Sequence, residues 1–295
     1  MRCKRWFLLS FLISVAISLF AGDTLMLIFP QLKSTDLQDS LHGDCAIMVA
    51  PTGETLMIDC GHPKTAETVK LILSSFGITQ LDGFVATHQH IDHIGAFPSL
   101  AESIPIKQIY KSPVEYDSSV RSAFLNAVEN QKIPMHTVSA GDTIQLGSEI
   151  TIEVLWPEKE YTLPNAISNS FVNNHSLVLK VMYGDSSVLF AGDLYTWGER
   201  NLLNLYSEEQ LDCDITKANH HGKNTSNQRS WMQAVSPNLV ICTSDGAVDP
   251  TLFARLSGMN IDLLQTAIDG NVIIELTDDK QYTFTTQQNL GVMHE

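Results

Sequence analysis

Thr87-His88-Gln89-His90-Ile91-Asp92-His93 narrows the folds open to this chain more than any other stretch. Four side chains able to bind a metal, His88, His90, Asp92 and His93, fall within six residues, directly after the apolar run Leu81–Ala86. A strand through Phe84, Val85 and Ala86 would carry them to the edge of a sheet, where open α/β folds build their sites. Imidazoles beside a carboxylate suit zinc or a similar borderline cation. Packing explains such a run poorly, because every buried imidazole needs a hydrogen-bond partner. The fold must therefore bring further ligands to the mouth of this strand.

The formal net charge of −15 leaves no basic stripe for a polyanion, so extended nucleic-acid binding is disfavoured. A pair of divalent cations would still make a local positive spot, which keeps small molecules and local phosphoester groups open as substrates. Arg2, Lys4 and Arg5 precede the apolar run Trp6–Phe20 and the small residues Ala21 and Gly22. Residues 1–21 therefore read as a secretion signal or, uncleaved, as an N-terminal anchor and the only membrane contact. The run is short against the ~20 residues a membrane-spanning helix needs. Residues 22–295 are then expected as one domain outside the cytoplasm.

That compartment makes the cysteines candidates for pairing. Two apolar runs, Cys45–Val49 and Leu56–Cys60, flank Pro51-Thr52-Gly53-Glu54. A two-residue turn at Thr52-Gly53 would set Cys45 opposite Cys60, and a cross-strand disulfide is predicted there. Cys213 and Cys242 stand at the start and the end of their strands and are not expected to pair.

Short apolar runs alternate with amphipathic stretches along the chain, without repeat or linker. Strands are predicted at 24–29, 46–50, 55–58, 83–87, 108–110, 150–155, 177–183, 187–191, 215–217, 239–243 and 272–276. Helices are predicted at 66–76, 92–101, 118–131, 196–206 and 228–235, and 157–174 reads as a loop near the site. Hairpin strands followed by alternating strand and helix, twice over, imply an α/β fold of two mixed sheets with helices outside. Three further ligand candidates sit at strand ends: His175, Asp193 after Ala191-Gly192, and the pair His220-His221 before Gly222.

Together these motifs resemble the metallo-β-lactamase superfamily: Thr87–His93 its signature, Phe190–Asp193 its Gly-Asp motif, and His220-His221-Gly222 its terminal histidine motif. Gly43–Ile47, Leu56–Gly61, Asn173–Leu179 and His220–Ser226 resemble the hydrolase domain of ComEC-type DNA-uptake competence proteins. The resemblance runs from Thr24 to Leu276. It implies a four-layer αββα sandwich with two metal ions, zinc first and manganese or iron as alternatives. His88, His90 and His175 would hold one ion, Asp92, His93 and His221 the other, and Asp193 would bridge them. His221 is favoured over His220 as the ligand, because a histidine before glycine is the usual order. A metal-bridged hydroxide would attack the substrate, with Asp92 holding the water's proton and His220 donating to the leaving group. Asn224, Thr225 and Ser226 are candidate donors to a substrate anion. Relatives often carry asparagine where His175 stands, and the segment between Phe29 and Gly43 is longer here.

A secreted metal-dependent hydrolase of phosphoesters, phosphodiesters above all, is thus the leading expectation. Hydrolysis of a lactam, lactone or carboxylic ester is the alternative, followed by a metal-stabilised binding module without turnover. Di-iron redox chemistry is disfavoured, because that branch of the superfamily carries glutamate at the position of His90. His42, His136 and His294 have no ligand pattern around them. His62 follows a turn expected near the site, and Asp59 reads as a turn former bonded to backbone.

Overall fold

The structure is a computed structural model, and it describes residues 23–33 and 43–288. The expected N-terminal signal or anchor, His42, His294 and most of the long segment after Phe29 lie outside those residues. Among the described residues no helix is long and apolar enough to cross a membrane.

Among the described residues, fifteen strands form two sheets. The first sheet has eight strands, in the spatial order Tyr282–Thr286, Val272–Leu276, Leu25–Phe29, Cys45–Val49, Thr55–Cys60, Gly83–Ala86, Ile109–Lys111, Met135–Thr137. The second has seven: Asp262–Gln265, Leu239–Cys242, Ile215–Lys217, Ser186–Phe190, Val178–Tyr183, Ile150–Trp156, Thr143–Leu146. Each sheet is antiparallel on one side and parallel on the other. The expected mixed sheets are therefore present.

Alternation along the strands sets the layers. Leu25, Leu27 and Phe29 face the second sheet, where Phe29 stacks on Phe190 with ring centroids 6.1 Å apart. Met26 and Ile28 face the other way, into a cluster with Val69, Leu73, Phe97 and Phe124 of the helices. The second sheet repeats this with Leu189 and Val240 against Leu202, Trp231 and Leu252. Three apolar cores between four layers leave both faces of each sheet covered, which is why its central strands read as unbroken apolar runs.

Several elements differ from expectation. The helix predicted over 92–101 is two short ones, Ile91–Ile94 and Phe97–Ala101, with Pro98 in the first turn of the second. A proline lacks the N–H that would continue a helix but is tolerated at a helix start. Part of the predicted loop 157–174 is the helix Asn169–Asn174, capped by Ser168 Oγ, which accepts the Phe171 N–H at 3.1 Å. Four strands without a sequence signal, Met135–Thr137, Thr143–Leu146, Asp262–Gln265 and Tyr282–Thr286, lie at the sheet edges, where one face or one side meets solvent and hydrophobic selection is weak.

The hairpin also corrects the cysteine prediction. Cys45 does stand opposite Cys60, but Ala46 to Val49 pair with Ile58 to Thr55, one residue out of the expected register. The turn holds three residues, Pro51 to Gly53, and a bulge at Asp59 restores the cysteine pairing. The predicted disulfide is absent: Cys45, Cys60, Cys213 and Cys242 are all free and buried. Burial pushes both hairpin thiols well above their ordinary pKa, and a protonated thiol is a poor partner in disulfide formation.

Candidate metal centre

The parallel strands of both sheets end at one edge, and their C-terminal loops meet there. Leu177 N–H donates to Thr87 O at 2.9 Å and His220 N–H to Gly192 O at 3.1 Å, tying the histidine run to the segment that follows His175 and the Gly-Asp turn to the terminal motif. Gly192 has φ +49°, and a Cβ on it would lie 2.9 Å from Ser176 Cβ, so only glycine lets Asp193 turn inward. His220 and His221, at φ 48° and 54°, also occupy the left-handed region. That conformation costs roughly 1–2 kcal/mol per residue, and the surrounding packing holds it.

Asp92, His93, Asp193 and His221 each bring a ligand atom within 4.8 Å of all the others. His93 Nε2 is 3.2 Å from Asp193 Oδ1, His221 Nε2 is 3.4 Å from the same oxygen, and His221 Nε2 is 3.3 Å from Asp92 Oδ2. His93 Nε2 and Asp193 Oδ1 are buried and have no hydrogen-bond partner among the described residues. Donor atoms on one zinc ion, bonded at about 2.0–2.2 Å, stand roughly 3–3.5 Å apart, so this set fits a divalent cation. His88 Nε2 is 3.1 Å from His90 Nδ1 and 3.9 Å from Asp193 Oδ2.

The electrostatics agree. Burial would raise Asp193 and Asp92, but the neighbouring imidazoles His221 and His93 outweigh it and hold both well below the usual carboxylate range. Burial would lower His93 and His221, yet Asp193, with Asp59 or Asp44, raises both. Burial lowers His88 and His90, leaving them in the neutral form that metal binding requires.

Two aspartates support these ligands from behind. Asp59, the bulged residue at φ 53°, accepts the Thr87 N–H at 2.9 Å, the Thr87 hydroxyl at 2.6 Å and the His93 Nδ1–H at 2.7 Å. It does bond backbone, as expected, and it also sets the His93 tautomer so that Nε2 faces the site. Asp44 is bonded by Lys217 Nζ and Thr243 Oγ1 and lies 3.2 Å from His221 Nδ1, which also donates to Thr243 O at 3.0 Å. Lys217 and Asp44 form a buried ion pair, which sequence reading missed. The available signal was a lysine closing the apolar strand Ile215–Lys217.

Not every candidate arrives. His175 does not join the cluster: its Nδ1–H donates to Phe171 O at 2.7 Å, and its ring packs 4.0 Å from Phe171, with Tyr161, Trp156 and Trp197 around it. It ends the helix Asn169–Asn174, and that turn directs the ring back onto its own helix. Ser226 is buried and donates to Leu194 O at 2.7 Å, Thr225 Oγ1 contacts His220 Nδ1, and Asn224 is exposed, so Ser226 and Thr225 serve the loop rather than stand free for a substrate. His220 packs at a tilt beside Tyr195, with centroids 4.6 Å apart, and burial pushes its pKa down to about 4. His62 accepts the Lys64 N–H at 3.2 Å, and His136 packs near Tyr110.

Residues 41–164 match the metallo-beta-lactamase superfamily. The chain is 28% identical over 240 residues to ComE operon protein 3 of Bacillus subtilis, covering 75% of this chain and 30% of that protein. It is 27% identical over 231 residues to competence protein ComA of Neisseria gonorrhoeae, covering 76% of this chain and again 30% of the relative. The chain thus corresponds to less than a third of the length of these relatives. Among solved structures, the metallo-beta-lactamase fold protein YhfI from Bacillus subtilis superposes with a TM-score of 0.54 at 13% identity, over 85% of this chain and 99% of that one.

Proposed function

We propose that this chain, which carries a metallo-β-lactamase domain, is a metal-dependent hydrolase that cleaves phosphodiesters outside the cytoplasm with two divalent cations, zinc first among them. The convergence of Asp92, His93, Asp193 and His221 within 4.8 Å, with buried His93 Nε2 and Asp193 Oδ1 lacking hydrogen-bond partners, is the observation that carries it. Cations bound there supply a water of lowered pKa and a Lewis acid for the oxygens of the scissile group.

The chain's own residues do the rest. Asp59 and Thr243 hold the outward nitrogens of His93 and His221, so that both rings keep their ligand faces inward. Asp92, ionised and with a side chain 16% exposed, is the member of the cluster that meets solvent and can accept a hydrogen bond from the attacking water. The likeness to competence proteins supports a phosphoester substrate. The charge of −15 favours a small or locally engaged group over a long polyanion. Turnover of bis-p-nitrophenyl phosphate and of a chromogenic lactam, each under zinc, manganese and iron, tests the reading. Phosphodiester cleavage is expected; its absence under all three metals, or lactam turnover alone, refutes the substrate class.

A further inference from the structure

We infer that the buried pair Asp44–Lys217 is a positioning device of the metal centre, a clasp that joins the ligand segments of the two sheets; the assignment rests on the metal centre proposed above. Asp44 immediately precedes the strand Cys45–Val49 of the first sheet, and Lys217 closes the strand Ile215–Lys217 of the second. Both are buried, and Lys217 Nζ bonds Asp44 Oδ2 across the space between the sheets. From this pair, bonds run to the segments that carry the ligands. Lys217 Nζ donates to Gly192 O at 3.0 Å, the carbonyl directly ahead of Asp193. The same carbonyl accepts the His220 N–H at 3.1 Å, so the terminal histidine motif is held there too. On the other side, Asp44 N–H donates to Asp92 O at 3.0 Å. The Asp44 carboxylate takes the Thr243 hydroxyl and lies 3.2 Å from His221 Nδ1.

The centre needs such a clasp because its ligands come from both sheets: Asp92 and His93 follow a strand of the first, Asp193 and His221 follow strands of the second. Elsewhere the sheets meet through apolar side chains, whose attraction has no direction. A metal site has to be held to within about 0.5 Å, and charge-assisted hydrogen bonds have the directionality for that. A buried ion pair adds little net stability over a neutral pair of the same volume, so geometry is the better reason for one at this spot. Burial would lower Lys217, but Asp44 and then Asp193 outweigh it and keep the ammonium charged. A positive charge behind a cation site repels the cation. Lys217 therefore favours metal binding through the bonds it makes and opposes it through its charge.

Zinc affinity of the full chain, by competition with a chromophoric chelator, tests the assignment beside urea unfolding of the metal-stripped protein. The deciding variant is the double exchange Asp44→Asn with Lys217→Met, which removes both charges and leaves no buried ion unpaired. Its unfolding without metal should recover towards wild type relative to Lys217→Met alone. Its zinc affinity should nevertheless stay roughly 10-fold or more below wild type, because the bond to Gly192 O does not return. Lys217→Met alone should also bind zinc more weakly, against the sign expected from removing a repelling charge. With cobalt in place of zinc, the visible absorption of the double variant should differ from wild type, a change in ligand geometry that lost stability alone would not produce. Zinc binding within about twofold of wild type in the double variant would mark a purely structural pair and overturn the assignment. Tighter zinc binding in Lys217→Met would overturn it as well, by showing that charge outweighs position. A wild type without affinity for zinc would overturn the metal centre itself, and the clasp with it.

Discussion

Asp59→Asn separates the positioning of a ligand from the stability of the fold. The carboxylate takes three donors, Thr87 N–H and Thr87 Oγ1–H at 2.9 and 2.6 Å and His93 Nδ1–H at 2.7 Å. An amide offers one oxygen. If that oxygen keeps the Thr87 N–H, the amide nitrogen faces His93 Nδ1, and the ring must move its proton to Nε2. That proton then points at Asp193 Oδ1, 3.2 Å away, and the ligand atom is lost. If the amide turns round, its nitrogen confronts the Thr87 N–H, and a buried unsatisfied donor costs about 1–3 kcal/mol. That penalty favours the first orientation, so zinc affinity should fall roughly 10- to 100-fold, or about 1.4–2.7 kcal/mol. Stability without metal should change little, because burial raises Asp59 on balance despite His93, so the fold does not favour its charge. Zinc affinity by competition with a chromophoric chelator, beside urea unfolding of the stripped protein, reads both quantities. Zinc binding within about twofold of wild type would refute the tautomer argument.

Lys217→Met strands the buried Asp44 carboxylate and should cost about 3–5 kcal/mol in urea unfolding, with part regained when Asp44→Asn is added; a loss below about 1 kcal/mol would reject a structural ion pair. Glu199 is raised by burial to about 7, against three donors from Asn219, Asn227 and Gln228. Its stabilising contribution is present below its unfolded value of 4.5 and is lost as pH rises through about 7, by up to about 3 kcal/mol. The stability of wild type relative to Glu199→Gln should therefore decline between those limits, and a difference independent of pH would contradict it. Asp193→Ala should remove both ions and all turnover, read by elemental analysis and assay, and retained activity would reject the centre.

How much of this was legible beforehand differs by residue. His88, His90, Asp92 and His93 were visible because a metal demands particular side chains at short spacing, and Asp193 and His221 because each follows a strand and a turn. His175 has the same local credentials but stands outside the four-residue cluster, at the end of a helix capped by Ser168. Asp44, Asp59 and Lys217 look unremarkable in sequence. Their roles depend on partners as far away as Thr243, which no local pattern announces. The predicted disulfide does not form, and the placement of Cys45 opposite Cys60 came out right for a mistaken reason: the turn is one residue longer than assumed, and the bulge that compensates is Asp59, the support of His93.

By itself the sequence determined the layered α/β plan, since apolar runs with helical stretches between them can be buried only as covered sheets. It also determined the metal-binding character of the run after Ala86. Tertiary structure alone decided which imidazoles reach Asp193, which protons they keep and that the thiols stay unbonded. Those outcomes turn on differences of an ångström between atoms far apart along the chain, set by bulges and left-handed turns whose consequences appear only when the two sheets are packed.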